Sequence, residues 1–344
     1  MELKTLENRR RWARALKGRI ELSSSKFFLF TPLFFIPFSF RIQFIYNLNL
    51  FISFLIIKTK INKVGFNNIV LWLYHPFDYL LLRWFKNRVF SIFDWAEEWA
   101  EYFIEFNKRK RDKIRLLEER IIKKTDIVLV VSEALLGVAK KINKNVYHLL
   151  DGTVYEFFQT PTNYTPEEMR YIKKPILGYL GTIKEKVDIE LLEFISEKFP
   201  QASLVFIGDI HYQRVDVSRL NNYKNVYFLG GKKYEELGSY TNYFDICLLP
   251  YKPELSVFIS PTKIFDYLAT GKPVVSTNLP VTARFKDYVY IADSKEEFVE
   301  LIKMALNERD PQLSNRRLEL ARENTWSKRA SEIMEVIKER INFG

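Results

Sequence analysis

A chain of 344 residues, 47% hydrophobic and 28% charged, has the composition of a globular protein of about two domains, not of a disordered, collagenous or multi-span membrane chain. Its single cysteine, Cys247, excludes an intrachain disulfide and cysteine-rich metal sites. The net charge of +11 is lopsided: residues 1–65 hold 12 basic and 3 acidic side chains, whereas residues 171–344 hold 25 and 24. A basic N-terminal half joined to a neutral C-terminal half points to an anionic partner on one side, nucleic acid or a membrane surface.

The chain begins with a basic, helix-like run, Glu7–Arg11. Apolar segments follow between the charges: Phe27–Phe30, Leu33–Ile36, Phe44–Tyr46 and Phe51–Ile57. A membrane-spanning helix over 43–57 fails on length, because about 20 apolar residues are needed, and Asn47 and Asn49 interrupt it. A signal peptide fits poorly, since the apolar run starts late and is broken by Pro32 and Pro37. Two readings stay open: buried core of a first domain, or a basic aromatic surface on an anionic membrane leaflet formed by residues 1–65. Strands are predicted at Lys26–Phe30, Ile69–Tyr74, Val89–Phe93, Ile127–Val131 and Val146–Leu150, with a long charged helix over Glu97–Lys124. A polar, proline-bearing linker spans Gln159–Lys174.

The second half alternates short apolar strands with helical patterns. Strands are predicted at Ile176–Leu180, Leu204–Ile207, Val226–Leu229, Ile246–Leu249, Val274–Ser276 and Val289–Ile291, and helices at 188–198, 234–241, 262–269 and 295–306. Fully apolar strands alternating with helices indicate a parallel sheet buried on both faces. The expected fold class is α/β, with two doubly wound Rossmann-like domains facing a cleft.

Two segments carry chemistry. In Gly178-Tyr179-Leu180-Gly181-Thr182, Gly181 lets backbone approach a ligand where a side chain would clash, and Lys184 and Lys186 supply charge. In Ser260–Thr277, Ser260 or Thr262 caps a helix with Pro261 in its first turn. That leaves the N–H groups of Lys263 and Ile264 open to an anion. Asp266 lies one turn on, where a carboxylate can accept from a sugar diol, and Gly271 ends the helix.

The ordered series Gly178/Gly181, Gly208, Phe228/Gly230, Asp245/Pro250 and Pro261–Val275, closed by Trp326–Ala330, resembles the retaining nucleotide-sugar glycosyltransferases of GT-B fold, group 1 (family 4). Within them it is similar to bacterial members that build cell-surface polysaccharide of the teichuronic acid or exopolysaccharide type. The resemblance covers about 175–340 well. It implies an acceptor-side domain over 1–165, a donor-binding domain over 166–325, and a helix over 326–344 crossing back to the first domain. It implies metal-independent transfer, with retention, from a UDP- or GDP-linked sugar to a glycan or lipid-linked acceptor. No cofactor is implied, the nucleotide-sugar being substrate. The expected location is cytoplasmic, peripheral on the inner membrane face.

The resemblance assigns the donor to Gly178, Gly181, Thr182, Lys186, Gly208, Pro261, Thr262, Lys263, Ile264 and Asp266, and the transferred sugar to His75, which follows a strand and precedes Pro76; His75 and Asp266 are the expected catalytic residues. Asp266 stands where the family has a longer Glu, Phe258 where it has another Glu, and Thr182 where it has an Arg; Glu254 is a candidate for the acidic contact to the donor sugar. The family's first strand and glycine-rich loop are missing or remodelled. A catalytically impaired donor-binding relative, or a subunit that needs a partner, is therefore the alternative. Nucleic-acid binding is disfavoured because no such motif appears. A sugar-nucleotide epimerase is disfavoured for want of paired cleft carboxylates and histidines.

Overall fold

A computed structural model describes residues 19–21, 28–30, 43–65, 68–102, 107–159, 166–257 and 263–342. The basic run Glu7–Arg11 and the donor-site residues Phe258, Ser260, Pro261 and Thr262 lie outside them. The chain divides into two compact units, Met1–Asp94 with Trp99–Val128, and Trp95–Glu98 with Leu129–Gly344.

In the first unit a short antiparallel ribbon, β1 (Arg19–Glu21) and β2 (Phe28–Phe30), precedes a helix over Gln43–Val64. A four-stranded sheet begins in this unit, in the order β3 (Ile69–Leu73), β4 (Arg88–Trp95), β5 (Ile127–Val130) and β6 (Val146–His148), the last strand belonging to the second unit. β3 and β4 run parallel. Among the described residues the first parallel strand is therefore Ile69–Leu73, and a ribbon and one long helix occupy the sequence before it.

That helix corrects the expectation for this region. It runs 22 residues, well past the 43–57 stretch rejected on length, and is long and apolar enough to cross a membrane by length and composition. Asn47 and Asn49 do not interrupt it; Asn49 turns fully inward. The charged helix expected over Glu97–Lys124 is instead two described pieces, Trp99–Tyr102 and Lys108–Lys124. Asn107 starts the second by accepting a hydrogen bond from the Lys110 N–H at 3.0 Å.

The second unit holds a six-stranded, all-parallel sheet in the order β12-β11-β10-β7-β8-β9. Its strands are β7 (Ile176–Leu180), β8 (Ser203–Ile207), β9 (Val226–Phe228), β10 (Ile246–Leu249), β11 (Val274–Thr277) and β12 (Tyr290–Ala292). β7, β8, β10 and β11 are buried along their whole length, as expected of a sheet covered on both faces. Helices such as Ile189–Lys198 and Lys295–Leu306 cover it with their apolar sides.

From β7 the chain steps outward to β8 and β9, then returns to the other side of β7 as β10. The reversal places a switch point between β7 and β10, and doubly wound sheets open a crevice at the carboxyl ends of such neighbours.

A buried ion pair ties the last helices to this sheet. Arg317 is fully buried; its Nε donates to the Tyr288 carbonyl, and its Nη2 donates to Glu308 Oε2 at 2.8 Å. Removing one member of such a pair strands the other charge. We expect Arg317→Ala to cost about 3–5 kcal/mol in urea unfolding; a loss under about 1 kcal/mol would show that the pair contributes no more than an exposed one.

Candidate functional site

The switch point gathers residues that are far apart in sequence. β7 ends at Leu180 and turns at Gly181, which has φ +117°. β10 ends at Leu249 and leads through Pro250 to Tyr251. The helix Lys263–Leu268 begins with Lys263. The Lys263 ammonium donates to the hydroxyls of Tyr179, at 3.2 Å, and Tyr251. It also lies over both rings, 4.6 Å and 5.1 Å from their centroids. Two ring faces and two hydroxyl oxygens fix the cation in place. Burial raises the Tyr179 hydroxyl pKa, so that hydroxyl stays neutral and accepts from the lysine. It donates in turn to the Thr182 carbonyl at 3.3 Å.

The glycines shape the floor. A Cβ on Gly181 would lie 2.6 Å from Lys263 Nζ, so only glycine leaves the ammonium its place. A Cβ on Gly208, at φ +147°, would lie 2.3 Å from the Gly181 carbonyl oxygen. The turns after β7 and β8 thus touch backbone to backbone. Their N–H groups are spent inside the fold: Gly181 donates to the Ile207 carbonyl and Gly208 to the Gly230 carbonyl. The loop contributes close approach, while the charge comes from the Lys263 side chain.

Asp266, one turn into the helix, is only 6% exposed. Its Oδ1 accepts from the hydroxyls of Thr153 and Tyr234, each at 2.7 Å. Burial pushes its carboxyl up to about 6, against the opposing pull of those two hydrogen bonds and the nearby Lys263 charge. The carboxylate expected to meet a sugar diol therefore already serves two hydroxyls of its own chain.

Other expected residues find varied roles. A Cβ on Gly178 would sit 2.1 Å from the Phe244 ring, so packing inside the sheet, not a ligand, requires this glycine. Thr182 is exposed beside Gly181. Lys186 is 3.7 Å from the Glu97 carboxylate. Ile264 is fully buried in the core. Glu254 is exposed in the turn Pro253–Leu255. Pro261 and Thr262 fall in the undescribed segment.

His75 lies in the first unit and caps the turn Pro76–Leu80, its Nδ1 accepting from the Phe77 N–H at 3.4 Å. Its ring packs on Phe77 and Trp99, and burial lowers its pKa to about 4. At neutral pH it is an uncharged imidazole. His148 faces Glu133 at 3.1 Å and Arg284 at 3.4 Å.

Sequence reasoning placed the Lys263 backbone at the site but missed its side chain and the two tyrosines. The signal was present: Tyr179 stands inside the glycine segment and Tyr251 directly follows Pro250. Thr153 and Tyr234, the partners of Asp266, sit in no motif and carried no signal.

Residues 174–308 match the family described as "Glycosyl transferases group 1". The chain is 29% identical over 255 residues to a Bacillus subtilis protein named as a teichuronic acid biosynthesis glycosyltransferase, TuaH, covering 69% of this chain and 64% of that protein. It is 27% identical over 104 residues to the sulfoquinovosyl transferase SQD2 of Arabidopsis thaliana, covering 30% of this chain and 19% of that one. The matched regions thus span less than two thirds of each relative. Among solved structures, sucrose-phosphate synthase from Thermosynechococcus elongatus superposes with a TM-score of 0.71 at 17% identity, over 95% of this chain and 86% of that chain. HepE from Anabaena in complex with UDP-glucose does so with a TM-score of 0.62 at 12% identity, over 78% of each. These likenesses establish the GT-B fold with its two Rossmann-like domains.

The raised carboxyl of Asp266 has a signed consequence. The folded state holds this proton up to pH about 6, the unfolded chain only to about 3.8. Stability therefore falls as pH rises between those values, by about 3 kcal/mol in full. Asp266→Asn lacks this titration. Relative to wild type it should gain about 2 kcal/mol between pH 4 and pH 7 in urea unfolding; parallel profiles would contradict the burial of this charge.

Proposed function

From a chain whose residues 174–308 form a group 1 glycosyltransferase domain, we propose that the protein transfers a sugar from a nucleoside diphosphate to a glycan or lipid-linked acceptor. The observation that carries this reading is the Lys263 ammonium, pinned by Tyr179 and Tyr251 where β7 and β10 part. A fixed cation there suits a diphosphate. The sugar must leave its nucleotide as the C1–oxygen bond to the β-phosphate breaks, through an oxocarbenium-like state. Negative charge then gathers on the departing diphosphate, and a preorganised cation stabilises it without reorganising.

Each residue has a definite task. Gly181 leaves the Lys263 ammonium its place and Gly208 closes the neighbouring turn on Gly181, Lys263 neutralises the phosphates, and Asp266 orders the far side of the helix through Thr153 and Tyr234. The acceptor hydroxyl attacks the same face that the diphosphate leaves, its proton passing to the departing phosphate oxygen, giving retention, and Lys263 supplies the positive charge that a metal ion would otherwise bring. UDP- or GDP-linked sugars are the proposed donors, used on the cytoplasmic side of the membrane. HepE, of the same fold, has been captured with UDP-glucose.

The engagement of Asp266 with two intrachain hydroxyls favours one second reading, a relative that binds donor without transferring it. A panel of nucleotide sugars read first as thermal shift and then as turnover separates the two. A shift of several degrees with a UDP- or GDP-sugar is expected, with release of nucleoside diphosphate on adding acceptor. In Lys263→Ala the donor affinity should fall by about tenfold or more. A shift without turnover would favour the binder, and no shift with any nucleotide would refute both.

A further inference from the structure

The helix Gln43–Val64 has one face in the protein and the other bare. Tyr46, Asn49, Leu50, Ser53 and Phe54 are buried along one side. Phe54 packs on Trp84 and edge-on against Phe85, with centroids 5.5 Å and 4.9 Å away. The Tyr46 hydroxyl donates to Asp78 Oδ1 at 2.8 Å. The opposite side carries Phe44, Leu48, Phe51 and Leu55, which remain 75%, 38%, 41% and 47% exposed. Their spacing of four, three and four residues makes one continuous stripe along the helix, about 17 Å long at ~1.5 Å per residue.

Charge continues the stripe. Lys58 is the next position on the same face and is exposed, as is Lys63 beyond it. The helix contains no acidic residue at all. Apolar stripe and basic end together match a leaflet with acyl chains below and anionic headgroups above. A contiguous apolar face on a soluble surface marks a docking site, and these lysines fit an anionic surface while their stems can lie along it.

We propose that this helix lies in the plane of an anionic membrane, with Phe44, Leu48, Phe51 and Leu55 inserted and Lys58 and Lys63 on the headgroups. It does not span. Crossing the bilayer would strip Tyr46, Leu50 and Phe54 from their partners and carry the buried Asn49, with Lys58 and Lys60, into hydrocarbon. The proposal stands apart from the transferase reading, because binding to vesicles is measured without donor or acceptor.

The test is cosedimentation of the whole protein with phosphatidylcholine vesicles, pure or with about one phosphatidylglycerol in three lipids. Wild type should bind the anionic vesicles at least about tenfold more tightly, and lose most of that preference in ~0.5 M salt. The variant Phe44→Ser/Leu48→Ser/Phe51→Ser/Leu55→Ser should lose binding by about tenfold or more, while its nucleotide response stays that of wild type. Lys58→Glu/Lys63→Glu should lose the anionic preference alone.

Trp84 reports from the margin of the stripe, its ring packed edge-on against that of Phe51 with centroids 5.2 Å apart. Brominated acyl chains should quench its fluorescence in wild type, and the quenching should vanish in Trp84→Phe. No vesicle binding, no Trp84 quenching, or binding untouched by the fourfold substitution would overturn the proposal. So would a wild-type dimer that the same substitution dissociates, since the stripe would then face a second copy of the chain.

Discussion

The positive charge fixed at the switch point is the constraint around which the second unit is organised. Strand order reverses at β7, beside β10, the place where doubly wound sheets bind ligands, and a lysine standing in water there would wander. Tyr179 and Tyr251 each offer a ring face and a hydroxyl, and Lys263 is held by both. Gly181 gives up its side chain so that the ammonium fits, and Gly208 gives up its own so that the neighbouring turn closes on Gly181. A site assembled this way carries its charge before any ligand arrives, which is the condition for electrostatic stabilisation without reorganisation cost.

Polar burial behind that cation follows a stricter rule. Asp266 is tolerated at low exposure because Thr153 and Tyr234 both donate to it, and even so its proton is held more tightly than in water. Arg317 is tolerated because Glu308 and a backbone carbonyl meet it. Each buried charge is matched, as a low-dielectric interior demands. The Asp266 contacts tie the segments after β6 and β9 to the helix that begins with Lys263.

The sheet of the second unit was largely legible in the sequence, because strands buried on both faces read as unbroken apolar runs. Ile176–Leu180 and Ile246–Leu249 match to the residue, and the others to within one residue at either end. The helix Gln43–Val64 was not legible. Its two faces are both apolar, one packed and one bare, so hydrophobicity shows no helical period and the asparagines look like breaks. Gly178 was misassigned for a related reason: a glycine required by the Phe244 ring looks the same in sequence as one required by a ligand. The partners of Asp266 were invisible because a tertiary hydrogen bond across 113 residues leaves no local pattern.

The central claim is that Lys263 recognises the phosphates of a nucleotide. Calorimetric titration of UDP against uridine, in wild type and Lys263→Met, isolates that interaction from the base and ribose. The account predicts that UDP binds wild type at least about tenfold more tightly than uridine, and that Lys263→Met erases most of the difference while leaving uridine affinity unchanged. Equal affinity for UDP and uridine in wild type, or a phosphate preference that survives the methionine, would contradict it.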